Sequence, residues 1–345
     1  MPLVVHPHLH RRRTGVTCHI ETVVAALSAE RPSGPAFEAR ALGSALLSGT
    51  PRIGWGELLR RARSEGLVWH AHRNHELLVG LFLRGLFRRV RVVLTRHSVS
   101  PASRFTRWVA RRAARVVALT PEVERTLGVG ATIVGHGIDL GRFHPAPDRA
   151  EALRGLGIDA RHAVGVVGRI RPDKGQGDFV EALAPLLEKD PAWTGVGVGL
   201  AKPAEQAFLR SLRERSPAVG WVPEQPDIER WYRGLTVLVQ PSHEESFSLV
   251  LLEAMASGCC VVAARMPHYP TLVDEGRTGF LYPPGDVVAL RKILAELMAN
   301  PTLAERVGRE AAQEAVKRFG ADREAEALGA IYRGLWSDEP PALSG

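Results

Sequence analysis

Short apolar runs alternate with longer segments of helical periodicity along most of the chain. This alternation is typical of parallel sheets whose strands are joined by helices. In the first half it predicts strands at 3–6, 67–72, 91–95, 116–119 and 132–134, and helices at 17–28, 76–87 and 103–113. In the second half it predicts strands at 163–167, 195–199, 219–222, 237–240, 260–263 and 279–282, helices at about 177–188, 204–214, 227–234, 249–256 and 286–299, and a helical tail over 302–337.

The predicted fold class is α/β, with two doubly wound Rossmann-like domains facing across a cleft and a C-terminal helical tail. The stretch 139–148 contains Gly141, Pro145 and Pro147, a composition typical of a linker. We therefore place an N-terminal domain at 1–140, a linker at 141–160, a C-terminal domain at 161–320 and a final helix and tail at 321–345. In such sheets, ligands bind beyond the carboxyl ends of the strands.

Length and composition narrow the class of protein. The 345 residues are enough for two domains, and no run of 18 apolar residues predicts a membrane-spanning helix. The N-terminus begins with a strand pattern rather than a signal peptide. Three scattered cysteines make a disulfide framework improbable and suit a reducing compartment, so we expect a cytoplasmic protein.

Positive charge is concentrated in the first half. Residues 1–150 hold 23 Arg and no Lys against 10 acidic residues, a net of +13, whereas the remainder holds 22 basic and 27 acidic residues, a net of −5. This asymmetry predicts a polyanionic partner such as a membrane surface, an anionic glycolipid or nucleic acid; an Arg-rich proteome is the alternative explanation.

The segment 103–116 is predicted to be a basic amphipathic helix. Its arginines at 104, 107, 111 and 115 form one stripe, opposed by apolar residues at 105, 109, 113 and 116 with Trp108 near the border. Further arginines cluster at 84–91 and 11–13. The pattern favours attachment to anionic lipid at the inner face of the cytoplasmic membrane, although a half-buried helix with a solvated face explains the apolar stripe equally well. The basic helix has no recognition-motif context for nucleic acid, which is therefore not expected as a partner.

The segment Glu245–Glu253 carries the most specific chemistry. Glu245 follows a predicted strand, and Glu253 lies about two turns into the next helix. Carboxylates accept hydrogen bonds from hydroxyls, and the N-terminus of the helix between them offers unpaired N–H groups to a phosphate. The segment therefore predicts a clamp for a polyhydroxylated, phosphorylated ligand such as a nucleotide sugar.

Two glycine-containing loops add to this site. Gly168 ends the first strand of the second domain, and Arg169 and Lys174 follow on the same loop. These two cations can converge on one diphosphate and stabilise it as a leaving group without a metal ion. In the first domain, Gly15 precedes a helix and would permit close backbone approach to phosphate or sugar, although an ordinary turn is equally possible.

Histidine is dense in the first half, with ten of thirteen. His6, His8 and His10 alternate, as do His70 and His72, but no Asp, Glu or Cys lies nearby in ligand spacing, so no metal site is predicted. His97 follows a predicted strand and would project into the crevice between the domains; a partly exposed loop histidine is the alternative.

These motifs resemble the retaining family-4 glycosyltransferases of the two-domain GT-B fold. The resemblance covers nearly the whole chain and is most specific for Gly168-Arg169 with Lys174-Gly175, Gly220-Trp221-Val222-Pro223, Pro241-Ser242 leading to Glu245–Glu253, and Ala254-Met255-Ala256-Ser257-Gly258. Within the family the chain looks most like bacterial lipopolysaccharide-core mannosyltransferases, through His10-Arg11-Arg12 with Thr14-Gly15-Val16-Thr17, Trp69–Asn74, Ser103–Trp108 and His136-Gly137-Ile138-Asp139.

The resemblance implies a role for each matching residue. Arg169 and Lys174 would hold the donor diphosphate, with Gly168 at the turn before them. Glu245 would contact the donor sugar and Glu253 the ribose. The backbone amides of Ser248 and Leu249 would meet the phosphates, Gly15 would lie beside the donor, and His97 would lie near the reacting sugar and the acceptor. The family often has Gly-Phe-Gly where this chain has Ser246-Phe247-Ser248, and Asn where it has His136.

We therefore expect a retaining glycosyltransferase that moves a hexose, with mannose favoured by the resemblance, from a nucleotide diphosphate donor to a glycolipid or glycan acceptor. Neither a cofactor nor a metal is expected, since no Asp-x-Asp motif occurs. The alternatives are a non-catalytic polyanion- or membrane-binding protein on the same fold, and a phosphorylase of similar architecture, for which the chain is short.

Overall fold

The computed structural model describes residues 3–11, 13–29, 37–47 and 49–337. The chain divides into two compact units. The first unit comprises residues 1–138 together with 320–345, and the second comprises residues 139–319. The segment 141–160, predicted as a linker, contains a helix and belongs to the second unit, whereas the final helix belongs to the first.

Strands and helices alternate through the described part of the first unit. Its strands are β1 (Leu3–His8), β2 (Glu38–Gly43), β3 (Leu67–Ala71), β4 (Val90–Arg96), β5 (Arg115–Ala118) and β6 (Thr132–Ile133). Its helices are α1 (Gly15–Ser28), α2 (Trp55–Ser64), α3 (Asn74–Leu86), α4 (Arg104–Ala110), α5 (Pro121–Leu127) and, at the far end of the chain, α13 (Ala321–Ser337).

The second unit repeats this alternation. Its helices are α6 (Arg149–Arg154), α7 (Gln176–Leu187), α8 (Gln206–Arg215), α9 (Ile228–Gly234), α10 (Leu249–Ala256), α11 (Val287–Ala299) and α12 (Pro301–Arg318). Its strands are β7 (His162–Val167), β8 (Trp193–Val198), β9 (Val219–Val222), β10 (Val237–Gln240), β11 (Cys260–Ala264) and β12 (Gly279–Tyr282).

Each unit contains a six-stranded parallel sheet, in the orders β2-β1-β3-β4-β5-β6 and β12-β11-β10-β7-β8-β9. Successive strands are added outward on one side and then on the other, which confirms the predicted doubly wound, Rossmann-like architecture. The order reverses between β1 and β3 in the first sheet and between β10 and β7 in the second. Ligands bind beyond the carboxyl ends of strands at such switch points.

Buried residues cover both faces of the first sheet. Successive strand side chains point to opposite faces, and accordingly Leu3 and Val5 belong to one core cluster while Val4 belongs to the other. The second cluster is completed by α13, which contributes Leu328 and Tyr332, both at most 1% exposed. The first unit therefore depends on a helix from the end of the chain.

The chain returns to the first unit through a close backbone contact. The predicted helical tail breaks at Phe319 and Gly320 into α12 and α13. Ile138 forms an isolated parallel bridge with Gly320, and a Cβ on Gly137 would lie 2.6 Å from the Cα of Ala321. Only glycine at position 137 allows this approach.

The predicted basic helix 103–116 is wrong in length. Helix α4 ends at Ala110, and Arg115 begins strand β5, so the arginines do not form one continuous stripe on a helix. The proposed apolar stripe is also wrong: Val109 is buried, but Phe105 is 51% exposed. Residues 111–114 instead form a turn that leads from α4 into strand β5.

Candidate active site

The predicted diphosphate loop and the Glu245 loop meet at the switch point of the second sheet. Strands β7 and β10 are neighbours, with Val237 opposite Val164, so the loops that follow them emerge side by side. Gly175 has a left-handed backbone (φ 71°), and a Cβ there would lie 2.0 Å from the carbonyl oxygen of Pro241. The two loops therefore approach each other more closely than any side chain at position 175 would allow.

An ion pair joins these loops. Lys174 Nζ donates to Glu245 Oε2 at 2.8 Å, and both side chains are about four-fifths buried, at 24% and 20% exposure. The pair brings together two residues that lie 71 positions apart in sequence. An ammonium group and a carboxylate with remaining acceptor capacity lie together at the carboxyl edge of the sheet, where they can contact a phosphate and a sugar hydroxyl.

The diphosphate loop is held by its backbone, which leaves the Arg169 side chain exposed. Gln176 Nε2 donates to the carbonyl oxygen of Arg169 at 2.9 Å, and its Oε1 accepts from the Arg171 amide at 3.3 Å. Within the part of the chain that the structure describes, the Arg169 guanidinium makes no hydrogen bond or ion pair. Gly168, at the end of β7, has φ 134°, a value suited to glycine.

The N-terminus of α10 begins with a residue in an uncommon conformation. Ser248 has φ 72° and ψ 89°, and its Oγ accepts from the Leu251 amide at 3.2 Å, which makes it the N-cap. Leu249 is the first residue of the helix. A non-glycine residue with positive φ is strained, and the strain falls where the family often has glycine.

Glu253 lies inside the same helix in a desolvated position. Tyr232 Oη donates to Glu253 Oε2 at 3.0 Å. Burial raises the pKa of Glu253 to about 7, and the hydrogen bond from Tyr232 opposes this shift. The carboxyl group is therefore held ready to accept or donate a hydrogen bond near neutral pH.

In the first unit, Gly15 and His97 lie on different elements. Gly15 is the exposed first residue of α1, and a Cβ there would have no heavy atom within 4 Å. Thr14 and Thr17 form the capping box of this helix. His97 directly follows β4 and is partly buried, with its Nε2 3.0 Å from His72 Nδ1.

His97 belongs to a histidine cluster, which we define as His6, His19, His70, His72, His97 and His136. It gathers at the switch point of the first sheet, where β1 and β3 are neighbours. Desolvation lowers the pKa of five of these rings, to about 3 for His6, to about 4 for His136, and well below the ordinary value for His70, His72 and His97.

A carboxylate from the end of the chain enters this cluster. Glu324 Oε1 accepts from His19 Nε2 at 2.7 Å and lies 3.5 Å from His136 Nδ1, and Glu324 Oε2 accepts from the Gly137 amide at 2.7 Å. Burial opposes ionisation, but the interaction with His19 and the hydrogen bonds with His136 and His19 outweigh burial and lower the pKa of Glu324. The premise that no acidic residue lies near the histidines is wrong, because Glu76 follows His72 by four residues in the sequence and Glu324 contacts His19 in the fold.

No motif in the sequence marks Tyr232, Gln176 or Glu324 as residues of these sites. Tyr232 and Gln176 hold Glu253 and the diphosphate loop, respectively, and no local pattern marks either residue. Glu324 lies 305 positions from His19, on a segment predicted only as helical tail. A lone acidic residue on the buried face of that helix was the available signal.

Comparison with known proteins identifies the family to which the chain belongs. Residues 161–300 match the family model described as glycosyl transferases group 1. The lipopolysaccharide core biosynthesis mannosyltransferase LpcC of Rhizobium leguminosarum bv. viciae is 35% identical over 97% of this chain and 97% of its own. The corresponding LpsB of Rhizobium meliloti is 34% identical over 96% and 97%.

Solved structures share the fold. Anabaena HepE, crystallised with UDP and glucose, has a TM-score of 0.81 at 21% identity, covering 97% of this chain and all of its own. The C-terminal domain of LpcC from Francisella tularensis has a TM-score of 0.51 at 29% identity, covering 53% of this chain and 99% of its own.

The chain belongs to the family-4 glycosyltransferases, with the GT-B fold of two Rossmann-like domains. Within that family it resembles the lipopolysaccharide-core mannosyltransferases over nearly its whole length. The family resemblance and the predicted fold class are thus confirmed.

Proposed function

We propose that this glycosyltransferase transfers mannose, with retention of configuration and without a metal ion at the diphosphate, from a nucleoside diphosphate donor to a lipopolysaccharide-core glycolipid. The observation that carries this proposal is the Lys174–Glu245 pair at the switch point of the second sheet, beside the N-terminus of α10. The names of the full-length relatives support the sugar and the class of acceptor.

Each residue of the site has a distinct task in this proposal. The exposed guanidinium of Arg169 and the Lys174 ammonium neutralise the diphosphate as the glycosidic bond loosens. The Ser248 and Leu249 amides bind a phosphate at the N-terminus of α10, which places the positive end of the helix dipole beside it. Glu245 accepts from sugar hydroxyls and Glu253 from the ribose, while Gly15 and His97 face the donor and the reacting sugar.

The Lys174–Glu245 pair also has a role before the donor binds. Holding the two side chains together positions the loops in advance, so that less conformational entropy is lost on binding. In the donor complex, Lys174 can shift towards phosphate while Glu245 accepts from hydroxyls. Two cations on the loop and the lack of an Asp-x-Asp motif support transfer without a bridging metal ion.

The roles are tested by transfer assays on Lys174→Ala and Glu245→Ala. Removing either charge is expected to lower kcat/KM for the donor by about 100-fold or more, the range for a lost group that stabilises the transition state. Arg215→Ala is the matched control, because it removes a cation from an ion pair with Glu181 in the same unit, 3.1 Å long and exposed. Transfer at the wild-type rate in both site variants would show that the pair is structural and would favour a non-catalytic binding protein.

We further propose that the enzyme works at the membrane surface through an apolar ridge on the first unit. The ridge consists of Leu78, Phe82 and Leu86 on α3 and Phe105 and Trp108 on α4, all between 42% and 65% exposed. The three residues of α3 are four apart and share one face. The α4 rings are stacked, with centroids 6.2 Å apart.

Arginines surround this apolar ridge. The Arg112 guanidinium lies 3.6 Å from the Trp108 ring centroid, and Arg84 donates to the carbonyl oxygen of Arg112. Arg88, Arg104 and Arg111 are exposed on the same helices or directly after them. Apolar side chains among cations match an anionic lipid surface, where each cation contributes about 1 kcal/mol before screening. No described helix is long and apolar enough to cross a membrane.

Vesicle flotation tests this attachment. The wild-type protein is expected to float with phosphatidylglycerol-containing vesicles and to remain unbound with phosphatidylcholine alone. Phe82→Ser combined with Trp108→Ser should abolish flotation, whereas Val288→Ser, which removes a 75% exposed apolar side chain from the second unit, should not. Equal flotation with both lipids, or no effect of the double substitution, would contradict the assignment.

A further inference from the structure

The histidine cluster occupies the position in the first sheet where a doubly wound fold binds ligands. β1 ends at His8, β3 ends just before His72, and His97 directly follows β4. Because carboxyl ends of parallel strands meet at one edge, these imidazoles converge at the switch point between β1 and β3. An ordinary core would have apolar residues here, since unpaired polar groups are costly to bury.

His19 presents an unused ring nitrogen inside this cluster. The ring is 1% exposed, and its Nε2 is hydrogen-bonded to Glu324 Oε1 at 2.7 Å. Within the described part of the chain, its Nδ1 has no hydrogen-bond partner. Since Glu324 takes the N–H at Nε2, the lone pair of the neutral ring is on Nδ1.

Two further rings offer nitrogens beside it. His72 Nδ1 and His97 Nε2 face each other at 3.0 Å, and one nitrogen from each of His19, His72 and His97 lies within 4.8 Å of the others. Bonds of about 2.0–2.1 Å at tetrahedral angles separate the ligands of a zinc ion by about 3.3–3.4 Å. An ion would therefore have to draw the more widely spaced nitrogens closer together by rotation of the rings.

We propose that His19, His72 and His97 bind one divalent transition-metal ion of the zinc class, with His19 coordinating through Nδ1. The site belongs to the first unit, whereas the cations assigned to the diphosphate belong to the second. Metal binding here is therefore a property separate from the proposed neutralisation of the leaving group.

The groups behind these ligands fit metal binding. Histidine ligands usually donate their other N–H to a carboxylate or another acceptor, which fixes the tautomer and the orientation of the ring. Glu324 does this for His19 and is itself held by the Gly137 amide. His6 Nδ1 lies 3.0 Å from His72 Nε2 and supports the second ligand. The Glu324 charge also offsets part of the charge that an ion would bring.

Two other histidine groups in the cluster fit less well. In the group of His6, His70 and His72, both nitrogens of His70 are engaged, at 2.5 Å by Tyr332 Oη and at 2.6 Å by Thr95 Oγ1. The group of His19, His136 and Glu324 requires the 2.7 Å hydrogen bond between His19 and the Glu324 carboxylate to break. The proposed ligands give up only the 3.0 Å hydrogen bond between His72 and His97, which involves no carboxylate and is weaker.

The ligand set selects the class of metal. Three imidazoles without a thiolate suit zinc, copper, nickel or cobalt rather than magnesium or calcium, which prefer oxygen ligands. Three protein ligands leave a fourth position open, as in catalytic rather than structural zinc sites. His97 is the only one of the three ligands that is partly exposed, so an ion would enter from its side.

Cobalt(II) titration of the untagged, chelator-treated full-length protein tests the proposal. Co²⁺ in a tetrahedral nitrogen site gives visible absorption, so binding is measured without any turnover. We expect saturable binding of one Co²⁺ per chain and displacement by Zn²⁺. His97→Asn should weaken binding at least tenfold, and Glu324→Gln by about 10–100-fold through loss of the carboxylate behind His19. His75→Asn is the matched control, because its side chain is 50% exposed on α3.

The outcomes separate this site from its alternatives. Circular dichroism establishes whether each variant is folded; if His97→Asn is not, Glu324→Gln decides. No equimolar binding by the wild-type protein, or an equal loss in His75→Asn and His97→Asn, would overturn the proposal and leave a hydrogen-bonded histidine network. Loss of binding in His136→Asn with retention in His97→Asn would place the ion on the other group of ligands and overturn this assignment.

Discussion

Gly175 is a residue at which the architecture of the second unit is highly sensitive to one added methyl group. Its φ of 71° is unfavourable for an L-residue, and an alanine Cβ would lie 2.0 Å from the carbonyl oxygen of Pro241, where ordinary contact begins at 3.4 Å. Gly175→Ala therefore combines backbone strain with a collision between backbone atoms, and no flexible side chain can relieve it.

The two effects can be separated in magnitude. A left-handed alanine costs about 1–2 kcal/mol relative to glycine. Overpacking typically costs about 1–3 kcal/mol. We therefore expect Gly175→Ala to lower the free energy of unfolding by about 2–5 kcal/mol. Gly157→Ala is the matched control, because Gly157 has φ 76° in the same unit and no heavy atom within 4 Å of a Cβ, so only the first cost applies.

Chemical denaturation followed by circular dichroism measures the difference between the two variants. Relief of the collision requires the loops after β7 and β10 to separate, which would also part Lys174 from Glu245. Gly175→Ala should therefore weaken binding of a nucleoside diphosphate, while Gly157→Ala should leave it unchanged. Equal losses of stability in the two variants, with unchanged nucleotide affinity, would refute the close approach of these loops as the feature that shapes the site.

Three further predictions concern stability. The pKa of Glu253 is raised from 4.5 to about 7, so between these pH values the folded protein binds a proton that the unfolded chain releases, and the folded state gains stability as pH falls through 7. In Glu253→Gln this pH-dependent gain should vanish. The melting temperature of the variant should therefore exceed that of the wild type by more at about pH 8 than at about pH 5.5. Ser248→Gly relieves a strained φ of 72°, which should raise the free energy of unfolding by about 1–2 kcal/mol, while the weaker N-cap to Leu251 lowers it by only a few tenths of a kcal/mol. The melting temperature should therefore rise, and a lower one would contradict the strain. Tyr332→Phe leaves a buried nitrogen of His70 unpaired and should cost about 1–3 kcal/mol in chemical denaturation; an unchanged midpoint would show that this hydrogen bond is not needed.

The hydrophobic pattern predicted eleven of the twelve described strands close to their observed bounds but missed β2. Buried parallel strands are continuous apolar runs, and Val237–Gln240 is one of these. Among the described strands, β2 pairs with β1 alone, at the edge of its sheet, and its Glu38 forms ion pairs with Arg40 and Arg61. A polar edge strand lacks the apolar run on which the prediction depends.

The candidate site was more accessible to sequence reasoning than the histidine cluster. Lys174 and Glu245 each follow a recognisable strand, and two such strands can be expected to end at one edge of a sheet. Their direct contact required knowledge that β7 and β10 are neighbours. Glu324 meets His19 only through the return of α13 to the first unit, a long-range contact that no local pattern encodes.

The return of α13 has a consequence for biosynthesis. The second unit is one continuous stretch, residues 139–319, so all its strands have left the ribosome before α13 is made. The first unit lacks Leu328 and Tyr332 until translation has passed the whole second unit, and its half-built hydrophobic interior stays uncovered for that interval. Although it is synthesised first, the N-terminal lobe is thus expected to mature last, and its exposed nascent surface is where a chaperone would be needed.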